Sequence, residues 1–283
     1  LTTSSATPPL PRYHVRVQPA STWAALPLRE LWQFRDLLLV LTLRDVSLRY
    51  KQTFLGILWV VLQPLAAALI FAFVFGRVAS LTRGDVPYLA FVFAGLLPWT
   101  AFSGALQRAG SSLVASAQLI SKVYFPRLVI PLAAALGVLV DFAVALVVML
   151  VILFASGYGP TPRLLVILPL LALTMLNAAA VGTLVAALSV YYRDFAHALP
   201  FAIQVWLFAS PVVYSHELIQ GKLRALYLLN PMVGVLAGFR WAFFGGGPFP
   251  LGLVAISTAV GLASLAASVL VFQRVEQSFA DVV

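Results

Sequence analysis

The chain has 283 residues, 62% hydrophobic and only 10% charged, with a net charge of +9. Soluble domains carry charge on about a quarter of their residues, so this composition belongs to a polytopic membrane protein. The basic residues are spread between apolar stretches instead of gathered on one face, which argues against a nucleic-acid binder. With no cysteine and three scattered histidines, disulfides and thiolate metal sites are excluded and a zinc site is not expected.

Residues 1–27 hold Pro8, Pro9, Pro11, Pro19 and Pro27 among Ser and Thr and read as an irregular tail. No basic region followed by an apolar run is present there, so no cleavable signal peptide is expected. Residues 28–51 form the next unit. A helix there places Arg29, Gln33, Asp36, Arg44, Ser47 and Lys51 on one polar stripe, with Leu31, Phe34, Leu38 and Leu41 elsewhere, the pattern of an amphipathic helix in the membrane interface. Glu30, Arg35, Asp45 and Arg49 fall off the stripe, so either two short helices are present or these side chains meet a protein partner.

From Gln52 to Gly76 there are twenty-five residues without a charge. At about 1.5 Å per helical residue they exceed the roughly 30 Å hydrocarbon core of a bilayer. Five further apolar stretches follow: 86–107, 127–163 interrupted only by Asp141, 164–192, 195–216, and one within 241–273. Six crossings put both termini on one side. Twelve Lys and Arg fall on that side and six on the other, which assigns both termini, 1–27 and 274–283, to the cytoplasm.

Two connections are too apolar for plain loops. Ser111 to Arg127 suits a short amphipathic helix ended before Pro126, or an interfacial turn. Between the fifth and sixth stretches, Asn230 offers an N-cap, Pro231 the first helical position, and Gly245 to Gly247 a stop. That segment is too short to span, so it reads as a re-entrant or surface-lying helix, or as a lid on the bundle.

No G-x-x-x-x-G-K-[ST] loop occurs, so the chain does not hydrolyse ATP by itself in the usual way, and no acid pair or nucleophile constellation stands out. Asp141 is the one carboxylate deep in a span. Its charge is costly in lipid and needs protein, water or a partner group. With no second ionisable residue evident at similar depth, a hydrogen bond to a neighbouring helix is favoured over a proton or transport pathway. The aromatics, Trp99, Trp206, Tyr214 and Trp241 among them, divide between interface belts and the lining of a passage.

Four stretches in this order resemble the membrane subunit of ABC-2 type exporters of polysaccharide, O-antigen and teichoic acid: RDVSLRYKQTFLGILWVVLQP (Arg44 to Pro64), LISKVYFPRLVIP (Leu119 to Pro131), YYRDFAHALPFAIQVWLFASPVVY (Tyr191 to Tyr214) and LNPMVGVLAGFRWAFFG, which ends at Gly245. The resemblance implies an all-α membrane protein with six transmembrane helices over 52–273, an N-terminal interfacial helix, a cytoplasmic coupling helix and an outer re-entrant segment between spans five and six. It implies a homodimer in the bacterial inner membrane, bound to two copies of a separate ATPase that holds ATP and Mg, with no cofactor in this chain and no enzyme activity of its own. The substrate implied is a glycan on a polyprenyl diphosphate lipid.

By the same resemblance, Arg44, Asp45, Arg49 and Lys51 match the ATPase-facing platform, Lys122, Tyr124, Pro126 and Arg127 the coupling segment, and Arg193 with Asp194 the second cytoplasmic loop. Trp99, Trp206, Tyr214, Asn230, Pro231, Phe239, Arg240 and Trp241 are the candidates for channel or gate. The competing readings are an ABC-2 permease for a small lipid or drug, and an integral membrane enzyme acting on lipid-linked sugars.

Overall fold

A computed structural model describes residues 28–51, 56–78, 86–122 and 125–276. The tail 1–27, Tyr124 and residues 277–283 lie outside the described residues. All regular structure among the described residues is helical.

The amphipathic region comes as two helices, α1 (Leu28–Gln33) and α2 (Arg35–Lys51). Gln33, Asp36, Val40, Arg44, Ser47 and Lys51 are exposed, as one stripe should be, while Leu41 is buried. The α2 helix rests on the chain that opens the third long span. Thr42 donates to the Ala133 carbonyl there at 3.2 Å.

Five helical segments are long and apolar enough to cross a membrane: Leu58–Gly76, Tyr88–Ala115, Val129–Ala155, Pro162–Tyr191 and Leu251–Glu276. The first is α3 (Ile57–Phe71), which widens into a π-helical stretch, Ala72–Val78. Then come α4 (Tyr88–Ala115), the short α5 (Ala117–Lys122), α6 (Val129–Leu136) and α7 (Val138–Ala155). After a 3-10 turn, α8 (Ile167–Tyr191), α9 (Asp194–Ala209), α10 (Leu223–Leu228), α11 (Met232–Phe244) and α12 (Leu251–Glu276) complete the order. The chain is thus a multi-pass helical membrane protein.

The centre of the bundle is α4, packed most extensively on α8 and also on α6, α7, α11 and α3. Small residues set the approach of α4 to α8: a Cβ on Gly182 would lie 2.6 Å from the Cβ of Ala109. Backbones this close gain van der Waals contact, the main source of helix association where lipid is as apolar as the side chains. Around them Phe93, Phe102, Leu106 and Phe239 are fully enclosed.

A second apolar cluster gathers Leu41 of α2, Leu113 of α4, Phe125, Val190 of α8 and Phe272 of α12. The start and the end of the described chain therefore meet at one end of the bundle, called here the basal end.

The structure corrects the expected architecture at three places. Five helices, not six, reach span length among the described residues. The stretch expected as a fifth span, 195–216, forms only the sixteen-residue α9, about 24 Å long at 1.5 Å per residue and short of the roughly 30 Å core. Apolar composition alone overstated it, because the chain leaves the helix at Ser210 and turns. Its path still rises from the basal end, where Leu199 packs at Gly110, until Tyr88 at the start of α4 donates to the Val213 carbonyl at 2.5 Å.

Nor do the described residues of 111–127 form the expected coupling helix. Residues 111–115 continue α4, and α5 has six residues. The serines that open the segment are satisfied within α4, Ser111 donating to Gln107 O at 3.0 Å and Ser112 to Ala109 O at 2.7 Å. The segment after Pro231 does not have the form expected of a surface or re-entrant helix. Residues 232–239 of α11 are all buried, against α4, α8 and α12.

Candidate functional site

Three helices bring charged groups to one point near the basal end. Asp141 Oδ2 accepts from Arg49 Nη1 at 2.6 Å and from Arg108 Nη2 at 2.7 Å, while Tyr50 donates to Oδ1. Arg49 and Tyr50 come from α2, Arg108 from α4 and Asp141 from α7. The carboxylate side chain is 17% exposed and the two arginines 27% and 31%. The helical turn that makes Arg49 miss the polar stripe of α2 is the turn that aims it at Asp141. Burial first, then the Asp141 hydrogen bond, push the Tyr50 hydroxyl up to about 12, so it stays a donor at neutral pH.

The cluster stands between two cavities. One, of about 450 Å³, is lined by α3 through Trp59, Gln63 and Pro64, by α4 through Thr100, Ser103 and Gln107, and by α7 through Phe142, with Arg49, Arg108 and Asp141 at its charged end. The other, of about 330 Å³, is lined by Arg44, Asp45, Ser111, Ser112 and Leu119 and shares Arg49 and Arg108. Both arginines thus face two hollows at once.

The channel or gate candidates lie elsewhere and fall into two groups. Around the N-terminus of α11, Asn230 accepts from Trp206 Nε1 at 3.1 Å and from the Met232 amide at 3.0 Å, the capping bond expected of it. It also donates to Ser210 Oγ at 2.9 Å, and the Pro231 carbonyl accepts from Asn177. Trp206 meets Phe102 edge to face at 5.1 Å, and Trp99 is buried beside the same ring.

Further along α11, Phe239 packs edge to face on Phe142. Arg240 forks onto the carbonyls of Val212, at 2.6 Å, and Tyr214, at 3.1 Å, and sits 3.8 Å over the Phe91 ring. Tyr214 donates to Phe208 O. Trp241 turns outward, donating to Gly247 O at 2.9 Å beside Arg163. None of the eight lines the two cavities described above.

Residues 36–244 match the family model described as ABC-2 type transporter, and that span is most of the chain. The chain belongs to the ABC-2 type transporter family. The O-antigen export system permease protein RfbA of Myxococcus xanthus is 34% identical over 257 residues, covering 89% of this chain and 97% of that protein. The protein of the same name from Klebsiella pneumoniae is 30% identical, covering 87% and 95%. The polysialic acid transport protein KpsM of Escherichia coli is 26% identical over 207 residues, covering 73% and 80%.

In this ABC-2 permease the residues matched to an ATPase-facing platform do not share one environment. Arg44 and Asp45 pair with each other at 2.9 Å, and Lys51 is exposed. Arg49 instead turns into the bundle. Arg193, between α8 and α9, and Asp194, which opens α9, are exposed. Lys122 closes α5, and Tyr124 lies outside the described residues. Past Pro126, Arg127 is held at the end of α12: its amide donates to Glu276 Oε1 at 3.2 Å and its Nη1 to Glu276 O at 2.8 Å.

Sequence reasoning missed Arg108 and Tyr50. Arg108 was counted with the cytoplasmic loops because it follows the last apolar residues of its stretch, whereas α4 runs two turns beyond it. The usable signal was Asp141 itself, a carboxylate whose cost in a span demands cationic partners. Arg49, off its stripe, was the one such partner visible in the pattern.

Proposed function

We propose that this ABC-2 permease moves a lipid-linked polysaccharide outward across the bacterial inner membrane, as a homodimer driven by two copies of a separate ATPase. The observation that carries the substrate class is the 34% identity to an O-antigen export permease over 97% of that protein's length. A second relative named for polysialic acid transport supports a polymeric glycan over a small lipid or drug. ATP and Mg belong to the partner ATPase, and the glycan rides on a polyprenyl diphosphate carrier.

The basal end is the cytoplasmic one in this reading, so both termini face the ATPase. Its exposed charges, Arg44 with Asp45, Lys51, and Arg193 with Asp194, form the docking surface. Asn230, Pro231, Trp206 and the Arg240 fork belong to the outer part of the conduit, where movement of α11 against α9 opens the path. Deleting the gene tests the reading through what accumulates. Finished lipid-linked glycan trapped inside the cell is expected, with none at the surface, and complementation should restore export. Undiminished surface glycan in the deletion strain would refute it.

A further inference from the structure

The charge count at the Asp141 cluster does not close. Two guanidinium groups meet one carboxylate, and the further charges lining the two cavities, Arg44 and Asp45, cancel each other. Among the described residues that line the two cavities, one positive charge is left over beside a membrane span. The carboxylate serves both arginines through Oδ2 and Tyr50 through Oδ1. Meanwhile Arg108 Nη1 is enclosed and has no hydrogen-bond partner among the described residues. A buried charged N–H left unmade is costly, and an arginine fork is the group best matched to the oxygens of a phosphate.

The larger cavity supplies the room. Its charged end carries Arg108, Arg49 and Asp141, and the rest of its lining mixes polar side chains, Gln63, Thr100 and Ser103, with the apolar Trp59, Pro64 and Phe142 over about 450 Å³. Such a mixed lining beside a charged end suits a phosphate headgroup with the first carbons of its chain.

We infer that the cavity between α3, α4 and α7 binds a phosphate or diphosphate group through Arg108 and Arg49, with Asp141 as the internal anion that the ligand displaces. Asp141 holds the two arginines together while the site is empty of ligand and competes with the incoming phosphate. Only the identity of the attached lipid rests on the export reading; the anion site itself stands on the cavity and its charges.

The test uses the intact transporter complex in phosphatidylcholine nanodiscs, with radiolabelled farnesyl diphosphate as probe and inorganic diphosphate and farnesol as competitors. Arg108→Gln should weaken binding about tenfold or more, the loss of a charged hydrogen bond. Asp141→Asn should tighten it several-fold, a gain that a misfolded protein would not give. Ser103→Phe fills the cavity, leaves the ion cluster untouched, and should abolish binding.

Competition by inorganic diphosphate as strong as by farnesyl diphosphate assigns the site to a soluble phosphate. Much stronger competition by farnesyl diphosphate, with none by farnesol, assigns it to a lipid headgroup. Equal competition by farnesol, unchanged binding in Arg108→Gln, or weaker binding in Asp141→Asn overturns the inference. Surface glycan is scored separately. Normal export with no binding in the cavity removes the site and leaves the export reading standing; binding in the cavity together with undiminished surface glycan in the deletion strain keeps the site and removes the export reading.

Discussion

Arg49 and Asp141 are 92 positions apart in the chain and meet at 2.6 Å. Their contact ties α2, the amphipathic helix before the first span, to α7 in the third. Arg108 joins the same oxygen from α4, so a single carboxylate fastens three helices where the membrane-facing and basal parts of the bundle join. A displacement of α2 has a direct path to α4 and α7 through this atom.

Removing the carboxylate should therefore cost more than removing its charge. Asp141→Leu leaves two partly buried guanidinium groups facing each other without a counter-charge, a loss on the order of 3 kcal/mol. Asp141→Asn keeps an acceptor and should cost clearly less. Thermal unfolding of the purified protein separates the two, and equal losses would show that the charge, absent from both variants, and not the hydrogen-bond geometry matters there.

Freeing α2 alone is a different experiment. Arg49→Gln retains the Arg108 and Tyr50 bonds to Asp141 but removes the charged link from α2. Hydrogen exchange should rise over 35–51, where Thr42 to Ala133 O and the burial of Leu41 remain as anchors, with little change in α8 or α12. Exchange rising evenly over the whole bundle would mean that Arg49 supports global stability instead.

The approach of α4 to α8 predicts a compensating pair. Gly182→Ala puts a methyl 2.6 Å from the Ala109 Cβ, so one helix must shift, at about 1–3 kcal/mol. Ala109→Gly removes the opposing methyl, and the double variant should recover most of the lost stability. Additive losses in the double-mutant cycle would place the strain elsewhere.

How far the sequence reached is clearest at three residues. The exposed stripe from Gln33 to Lys51 follows from helical periodicity, and the structure repeats it. Arg49 violated that periodicity, and a violation points outward or inward without saying which; its partner lay 92 positions away, beyond any local pattern. The stretch after Asp194 looked like a span because hydropathy integrates composition over a window and does not see where backbone hydrogen bonding stops. There α9 ends at Ala209, and the following turn is held by Arg240 from α11 onto the Val212 and Tyr214 carbonyls. Those are contacts of tertiary structure, silent in the order of residues.

Asn230 is a junction whose loss should be felt on both sides. Its oxygen serves Trp206 and the Met232 amide, and its nitrogen serves Ser210 and the Ala209 carbonyl. Asn230→Asp keeps both acceptor bonds and loses the donors; Asn230→Ala loses all four. The alanine variant should fall by about 1–3 kcal/mol, the aspartate variant by less, and the indole emission of Trp206 should shift in the alanine variant alone. An equal loss in the two variants would mean that the donor bonds dominate.

Arg127 poses the sharpest choice between docking and internal support. Charge reversal there is expected to lower transport-coupled ATPase activity if the residue meets the ATPase, yet its guanidinium already donates to the last described carbonyl of α12, Glu276 O, at 2.8 Å. A cation at a helix C-terminus is worth roughly 0.3–1 kcal/mol. Arg127→Ala should thus cost about that much in thermal stability, and Arg127→Lys should recover part of it, since the charge returns without the fork. Glu276→Gln leaves the backbone carbonyl and a side-chain acceptor in place, so it should change neither stability nor coupling. If Arg127→Ala lowers coupled ATPase activity while stability holds, the guanidinium works on the partner and the bond to α12 is incidental. If both fall together and Arg127→Lys restores both, Arg127 acts by holding the end of α12 in register, and the docking surface lies with the exposed charges of α2 and the Arg193–Asp194 turn.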